Sequence, residues 1–131
     1  MPAALRLRLA VVVAAAALAV PVGGAAPAAA TVHPACTHRD CPAAYTANSG
    51  WGRLGYPTTR AWHAWPYGQA NFSGGRYRNL NRQLPAGGVY YEYDVNPRRQ
   101  GARRDAYRLV RDSGTGTVWF SPDHYNDFYK M

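Results

Sequence analysis

The chain has 131 residues, with 15 basic against 7 acidic side chains and a net charge of +8. That length is within the usual size of one domain and enough for one modest core, too little for a second large one within it. The charge suits a polyanionic partner, because basic side chains displace condensed counterions and steer association. Lys130 is the only lysine, so the charge is carried by arginine. Planar bidentate contact with phosphate explains that excess, and so does codon bias.

The first element is a leader. Met1 to Arg8 carries two arginines and no acid, Leu9 to Val20 is an unbroken apolar run, and Ala28-x-Ala30 precedes Thr31. This pattern predicts a cleaved secretory signal over residues 1–30, too short for a convincing membrane span, with a signal anchor as the alternative. Cleavage removes Arg6 and Arg8 and leaves 13 basic against 7 acidic residues, about +6. No second apolar segment follows, so a secreted, soluble product of about 100 residues is expected.

Residues 31–65 read as a variable front that belongs to the same domain as the more regular stretch 66–131. Cys36 and Cys41 open the mature chain. In an exported protein they are expected to pair as a small local disulfide. With His33 and His38 nearby a zinc site is the competing reading, although such sites favour shorter cysteine spacing and four ligands together. Gly50, Gly52, Gly55 and Pro57 interrupt the next stretch, so only short helices over Ala43–Ala47 and Thr58–Trp65 are predicted. Trp51, Trp62, Trp65, Tyr67 and Phe72 crowd this region, as cover for a sheet or as a stacking platform for single-stranded nucleic acid.

From Gly87 the chain reads as antiparallel sheet. Val89 to Val95 is aromatic and β-branched, and alternation puts Val89, Tyr91, Tyr93 and Val95 on one face and Tyr90, Glu92 and Asp94 on the other. Arg98, Arg99 and Arg103 fall in a loop after Pro97, tracking phosphates or solvating the loop. Read as a strand, Arg104, Ala106 and Arg108 share a face and converge on one spot. Asp112-Ser113-Gly114-Thr115-Gly116 is then a turn, and Thr117 to Ser121 the returning strand, which delivers Asp123-His124-Tyr125 near the arginines. Asp123 either holds His124 protonated or caps the turn. His33, His38 and His63 lack such company and read as surface or packing residues.

One glutamate, two arginines and one histidine are what metal-free cleavage of an RNA phosphodiester requires. RNA carries its own nucleophile, the 2′-hydroxyl. A carboxylate can remove that proton, an imidazolium can protonate the departing 5′-oxygen, and paired guanidiniums can hold the phosphoryl charge. No cofactor and no metal is called for.

Three segments carry a resemblance: Tyr90-Tyr91-Glu92-Tyr93-Asp94-Val95, Arg104-x-x-x-Arg108-Leu109-Val110, and Trp119-Phe120-Ser121-Pro122-Asp123-His124-Tyr125-Asn126-Asp127-Phe128. From about Pro66 onward the chain is similar to the microbial extracellular guanyl-specific ribonucleases, the barnase group. The resemblance implies an α+β fold, here a twisted antiparallel sheet of four to five strands under a short, poorly defined N-terminal helical layer. It implies Glu92 as general base, His124 as general acid, Arg104 and Arg108 as phosphate clamp, and Tyr125 lining the phosphate or base site. It also implies single-stranded RNA as substrate, a monomer, and a tight acidic barstar-like inhibitor in the producing cell.

The base loop departs from that pattern. Tyr77-Arg78-Asn79-Leu80-Asn81-Arg82-Gln83-Leu84-Pro85 offers Tyr77 for stacking and Asn79, Asn81 and Gln83 as polar contacts. The carboxylate that accepts both guanine edge N–H groups in relatives is replaced, by Asn81 or by Gln83 depending on how the loop is matched. An amide accepts only at its oxygen, so guanine preference is expected to be relaxed or altered.

Overall fold

The computed structural model describes residues 14–17 and 31–131, so the leader expected over residues 1–30 lies almost wholly outside the described residues. In chain order the elements are β1 (Val32–His33), α1 (Cys41–Arg53), β2 (Ala61–Ala64), β3 (Ala70–Tyr77), β4 (Tyr90–Asp94), β5 (Arg108–Asp112), β6 (Val118–Ser121) and β7 (Phe128–Lys130). The strands form one seven-stranded sheet in the order β1-β7-β6-β5-β4-β3-β2, antiparallel except where β1 runs parallel to β7. The fold of the described residues is α+β, with one helix among them on the sheet.

Seven strands replace the expected four to five. The two edge strands, β1 and β2, lie in the front half that carries no sheet period of its own. Their pairing is set from outside, by the register of Val32 on Phe128 and of Trp62 on Phe72. A second correction concerns the helix. A single thirteen-residue α1 replaces the short helices expected over Ala43–Ala47 and Thr58–Trp65, and the latter span contains β2 instead.

The inward face of α1 explains why it escaped detection. It consists of Cys41, Ala44, Ala47, Gly50 and Trp51, at helical spacing but mostly too small to register as an apolar stripe. Gly50 is required there, because a Cβ at that position would overlap the Trp65 indole. Pro42 occupies the first turn, where its missing N–H is no loss, and Gly55 at φ 74° follows the helix end. A disulfide joins Cys36 to Cys41, the first helical residue, which removes both cysteines from any metal site.

The sheet divides two cores. Between helix and sheet, Ala44, Ala47, Trp51 and Trp65 pack on Tyr93, Val95, Leu109, Val118 and Phe120. Trp51 is fully buried and its indole N–H donates to the Asp94 carbonyl at 2.8 Å, tying α1 to the end of β4. On the other face Leu84, Tyr90, Val110, Trp119 and Phe128 form a smaller cluster beside Tyr77 and Tyr125. That second face carries the candidate site. No helix among the described residues is long and apolar enough to cross a membrane.

Candidate active site

Glu92 lies on β4 opposite Gly75, where the β3–β4 register shifts between Ser73 and Gly75. This bulge is built from two glycines for two reasons. Gly75 has φ 76°, a conformation costly for other residues, and a Cβ on Gly74 would overlap the Glu92 carboxylate. The bulge thus gives the Glu92 side chain room to lie across β3, only 13 % exposed. Its Oε2 accepts a hydrogen bond from the Tyr125 hydroxyl, and Arg104 Nη2 stands 3.7 Å from Oε1.

Two residues further along the same face, Asp94 is completely buried. Arg104 grips it with both Nε and Nη2, the latter at 2.6 Å. Arg98 donates to it from Nη2 at 2.7 Å, and Arg108 Nε stands 3.4 Å away at ion-pair range. Arg108 Nη1 is fixed by the carbonyls of Asp105 and Tyr107 at 2.6 and 2.8 Å. Arg104 is not on a strand as expected, since β5 starts only at Arg108 and residues 104–107 form a loop. The two guanidiniums converge because one buried carboxylate collects them. Burial alone would lower the Arg104 pKa, but the hydrogen bonds and charge of Asp94 outweigh it and raise the value.

The β6–β7 turn positions His124. His124 and Tyr125 have φ of 55° and 75°, consecutive left-handed residues that are not glycine. Such conformations persist only where the surroundings enforce them. Here Ser121 Oγ accepts the Tyr125 N–H at 2.8 Å, Asp123 Oδ1 accepts the Asp127 N–H at 2.8 Å, and the His124 N–H donates to the Ala106 carbonyl at 3.0 Å. Of the two readings of Asp123, the turn cap is the one its contacts describe. Burial, followed by the charge of Glu92, raises the Tyr125 pKa, so its phenol stays protonated and donates to Glu92.

Two clefts meet at His124. One, of about 600 Å³, is lined by Arg103, Arg104, Asp105, Ala106, Arg108 and His124. The other, of about 380 Å³, is lined by Tyr77, Asn79, Asn81, His124, Tyr125 and their neighbours. The first is cationic. In the second, Tyr77 stands at 4.8 Å from the Tyr125 ring and tilts 33° to it. Tyr77 also has a raised pKa, from burial and then the charge of Glu92.

The base-loop residues separate by role. Asn79 is spent on the loop, donating to the Leu84 carbonyl and accepting the Leu84 N–H at 2.9 and 3.1 Å. Asn81 is exposed on the wall of the second cleft. Gln83 does not line it: its Nε2 donates to the Tyr125 carbonyl at 3.3 Å and its amide oxygen is buried without a partner among the described residues. His33 stacks on Tyr129, His38 packs on Phe120, and His63 meets Ser73 Oγ at 2.8 Å, all apart from the clefts. No cluster of metal-ligating side chains occurs among the described residues.

Sequence reasoning missed Asp94 as the anchor and Arg98 as its third guanidinium. The signal was available: an acid two residues from Glu92 on the same strand face, with arginines crowding the next fourteen positions. No curated protein and no solved structure matches the chain. A family model described as ribonuclease matches residues 25–131, and by that match the chain belongs to the ribonuclease family of RNA-cleaving enzymes.

Proposed function

We propose that the protein is a secreted endoribonuclease of the guanyl-specific, barnase-like type that cleaves single-stranded RNA by transesterification. The observation that carries this reading is the join of the two clefts at His124, with Glu92 and the Arg104–Arg108 pair alongside. A nucleotide with its base against Tyr77 would present its 2′-hydroxyl to Glu92. Glu92 takes that proton, the 2′-oxygen bonds to phosphorus, the P–O5′ bond breaks, and protonated His124 gives its proton to the departing 5′-oxygen. The product is a 2′,3′-cyclic phosphate. In its hydrolysis the roles reverse, His124 deprotonating water and Glu92 protonating the 2′-oxygen as it leaves. Arg104 and Arg108 hold the charge on the phosphoryl oxygens throughout.

Guanine preference is relaxed in this reading. Among the described residues no carboxylate lines the base cleft, and in this reading exposed Asn81 on its wall meets the base edge. The missing charge-assisted hydrogen bond is worth about 1.5–3 kcal/mol. The cationic cleft also suits an acidic protein inhibitor in the producing cell, and the protein is taken to act as a monomer.

Glu92→Gln and His124→Gln test the assignment. Each is expected to lower kcat on RNA by roughly 10²–10⁴-fold with the fold retained by circular dichroism. Salt-sensitive RNA retention with no cutting by the wild type would instead identify a non-catalytic relative that kept the charge.

A further inference from the structure

We propose that Trp62 and Arg60 form a second nucleotide subsite, which takes RNA on the 3′ side of the scissile phosphate. This rests on the ribonuclease reading and extends it to an edge of the sheet that the reaction itself does not use.

A row of cross-strand neighbours runs over the reactive face. Trp62 on β2 pairs with Phe72 on β3, the pairing of Ser73 with Tyr93 puts Phe72 beside Asp94, and Asp94 pairs with Arg108. Guanidiniums bind the row together. Arg104 lies 4.5 Å over the Phe72 ring and Arg98 lies 4.8 Å over the Trp62 ring, and both bond Asp94. Trp62 meets Phe72 edge-on at 5.3 Å. The phosphate clamp and the aromatic surface are therefore one continuous structure.

Two features of this surface go beyond what packing needs. Trp62 is partly exposed although it sits at the rim of the sheet, and Arg60 is exposed with its guanidinium 4.9 Å over Phe72 and no carboxylate partner among the described residues. An accessible indole beside an unpaired arginine is the combination that holds single strands, since the base stacks and the phosphate pairs with the cation.

Position decides which nucleotide arrives there. Along β3, Tyr77 marks the base cleft, Gly75 lies opposite Glu92, and Phe72 lies beyond it, about 16 Å from Tyr77 at strand rise. In the proposal a strand with its base at Tyr77 and its 2′-hydroxyl at Glu92 leaves past His124 through the cleft of Arg103 and Arg104, and its later 3′ nucleotides reach Arg98 and Trp62. Because β2 is an edge strand, no further strand among the described residues lies across its exit.

The test compares kcat/KM for a dinucleoside monophosphate with that for the same dinucleotide extended by two nucleotides on its 3′ side. Wild type is expected to gain roughly tenfold from the extension, Trp62→Ala to lose most of that gain, and Trp62→Phe to keep most of it. Arg60→Gln should reduce the gain and flatten the log–log salt dependence of the longer substrate by about 0.7. An unchanged gain in Trp62→Ala overturns the subsite and leaves the ribonuclease reading standing. Equal losses on both substrates would make Trp62 a structural residue, and a Trp62-dependent gain from 5′ extension instead would place the subsite on the wrong side; either overturns the proposal. Cleavage of neither substrate by the wild type would overturn the reading and the subsite together.

Discussion

Asp94 organises the candidate site without any placement that lets it touch the reacting atoms. A buried carboxylate is costly unless paired, and here guanidiniums of Arg98, Arg104 and Arg108 surround it. Asp94→Asn would take the shared carboxylate from buried Arg108 and half-buried Arg98 and Arg104, leaving only Glu92 and Asp105 at 3.7 Å as countercharges among the described residues, so it is expected to cost about 3–5 kcal/mol in urea unfolding and to release Arg104 from its position. A variant as stable as the wild type would contradict this. His63 gives a pH test. Ser73 Oγ donates to the Thr59 carbonyl at 2.6 Å and so accepts from His63 Nε2, and burial lowers the His63 pKa below 6.5. The unfolded chain then binds more protons than the folded one between those two values. The His63 contribution is complete above pH 6.5 and is lost as pH falls through that window, so His63→Gln should flatten the stability profile there and nowhere above it. At the base cleft, Asn81→Glu restores a carboxylate acceptor and should raise discrimination for guanine over adenine by roughly 10- to 100-fold, read from cut-site frequencies.

At the scale of elements, α1 is held by a small-residue face that admits Trp65 over Gly50. Gly50→Ala is expected to lower unfolding free energy by about 1–3 kcal/mol, and Trp65→Leu in the same chain should recover part of that loss by thermal melting. What was legible in the sequence divides along the same lines. The faces of β4 followed from alternation of large side chains, with Tyr93 and Val95 toward the helix and Glu92 and Asp94 away from it. The helix did not, because Ala44, Ala47 and Gly50 carry its inward face. Nor did β1 and β2, whose few residues gain strand geometry only from the neighbours they pair with. Arg104 was placed near Arg108 for the wrong local reason: its strand is a loop, and the convergence comes from a long-range ion pair.

For the molecule as a whole, net charge and reactive face act together. The described chain carries exposed Arg76, Arg78 and Arg103 on the cleft walls and exposed Arg60 over Phe72 beside Arg104, so association with RNA should weaken steeply with salt. Glu92, Arg104, Arg108 and His124 stood out in the sequence because each residue type has a distinct chemical task, and the proposed reaction assigns them those tasks. The roles of Asn79, Asn81 and Gln83 did not, because three similar amides in one loop are told apart only by which ones the loop itself consumes. The central claim is that Glu92 and His124 work as base and acid about one phosphate held by arginine. It is tested most directly by incubating residues 31–131 with mixed-sequence single-stranded RNA in EDTA and identifying the product ends beside a His124→Ala control. The account predicts 2′,3′-cyclic phosphate ends that disappear in the control. Cutting that persists in His124→Ala, or 5′-phosphate ends, would contradict it.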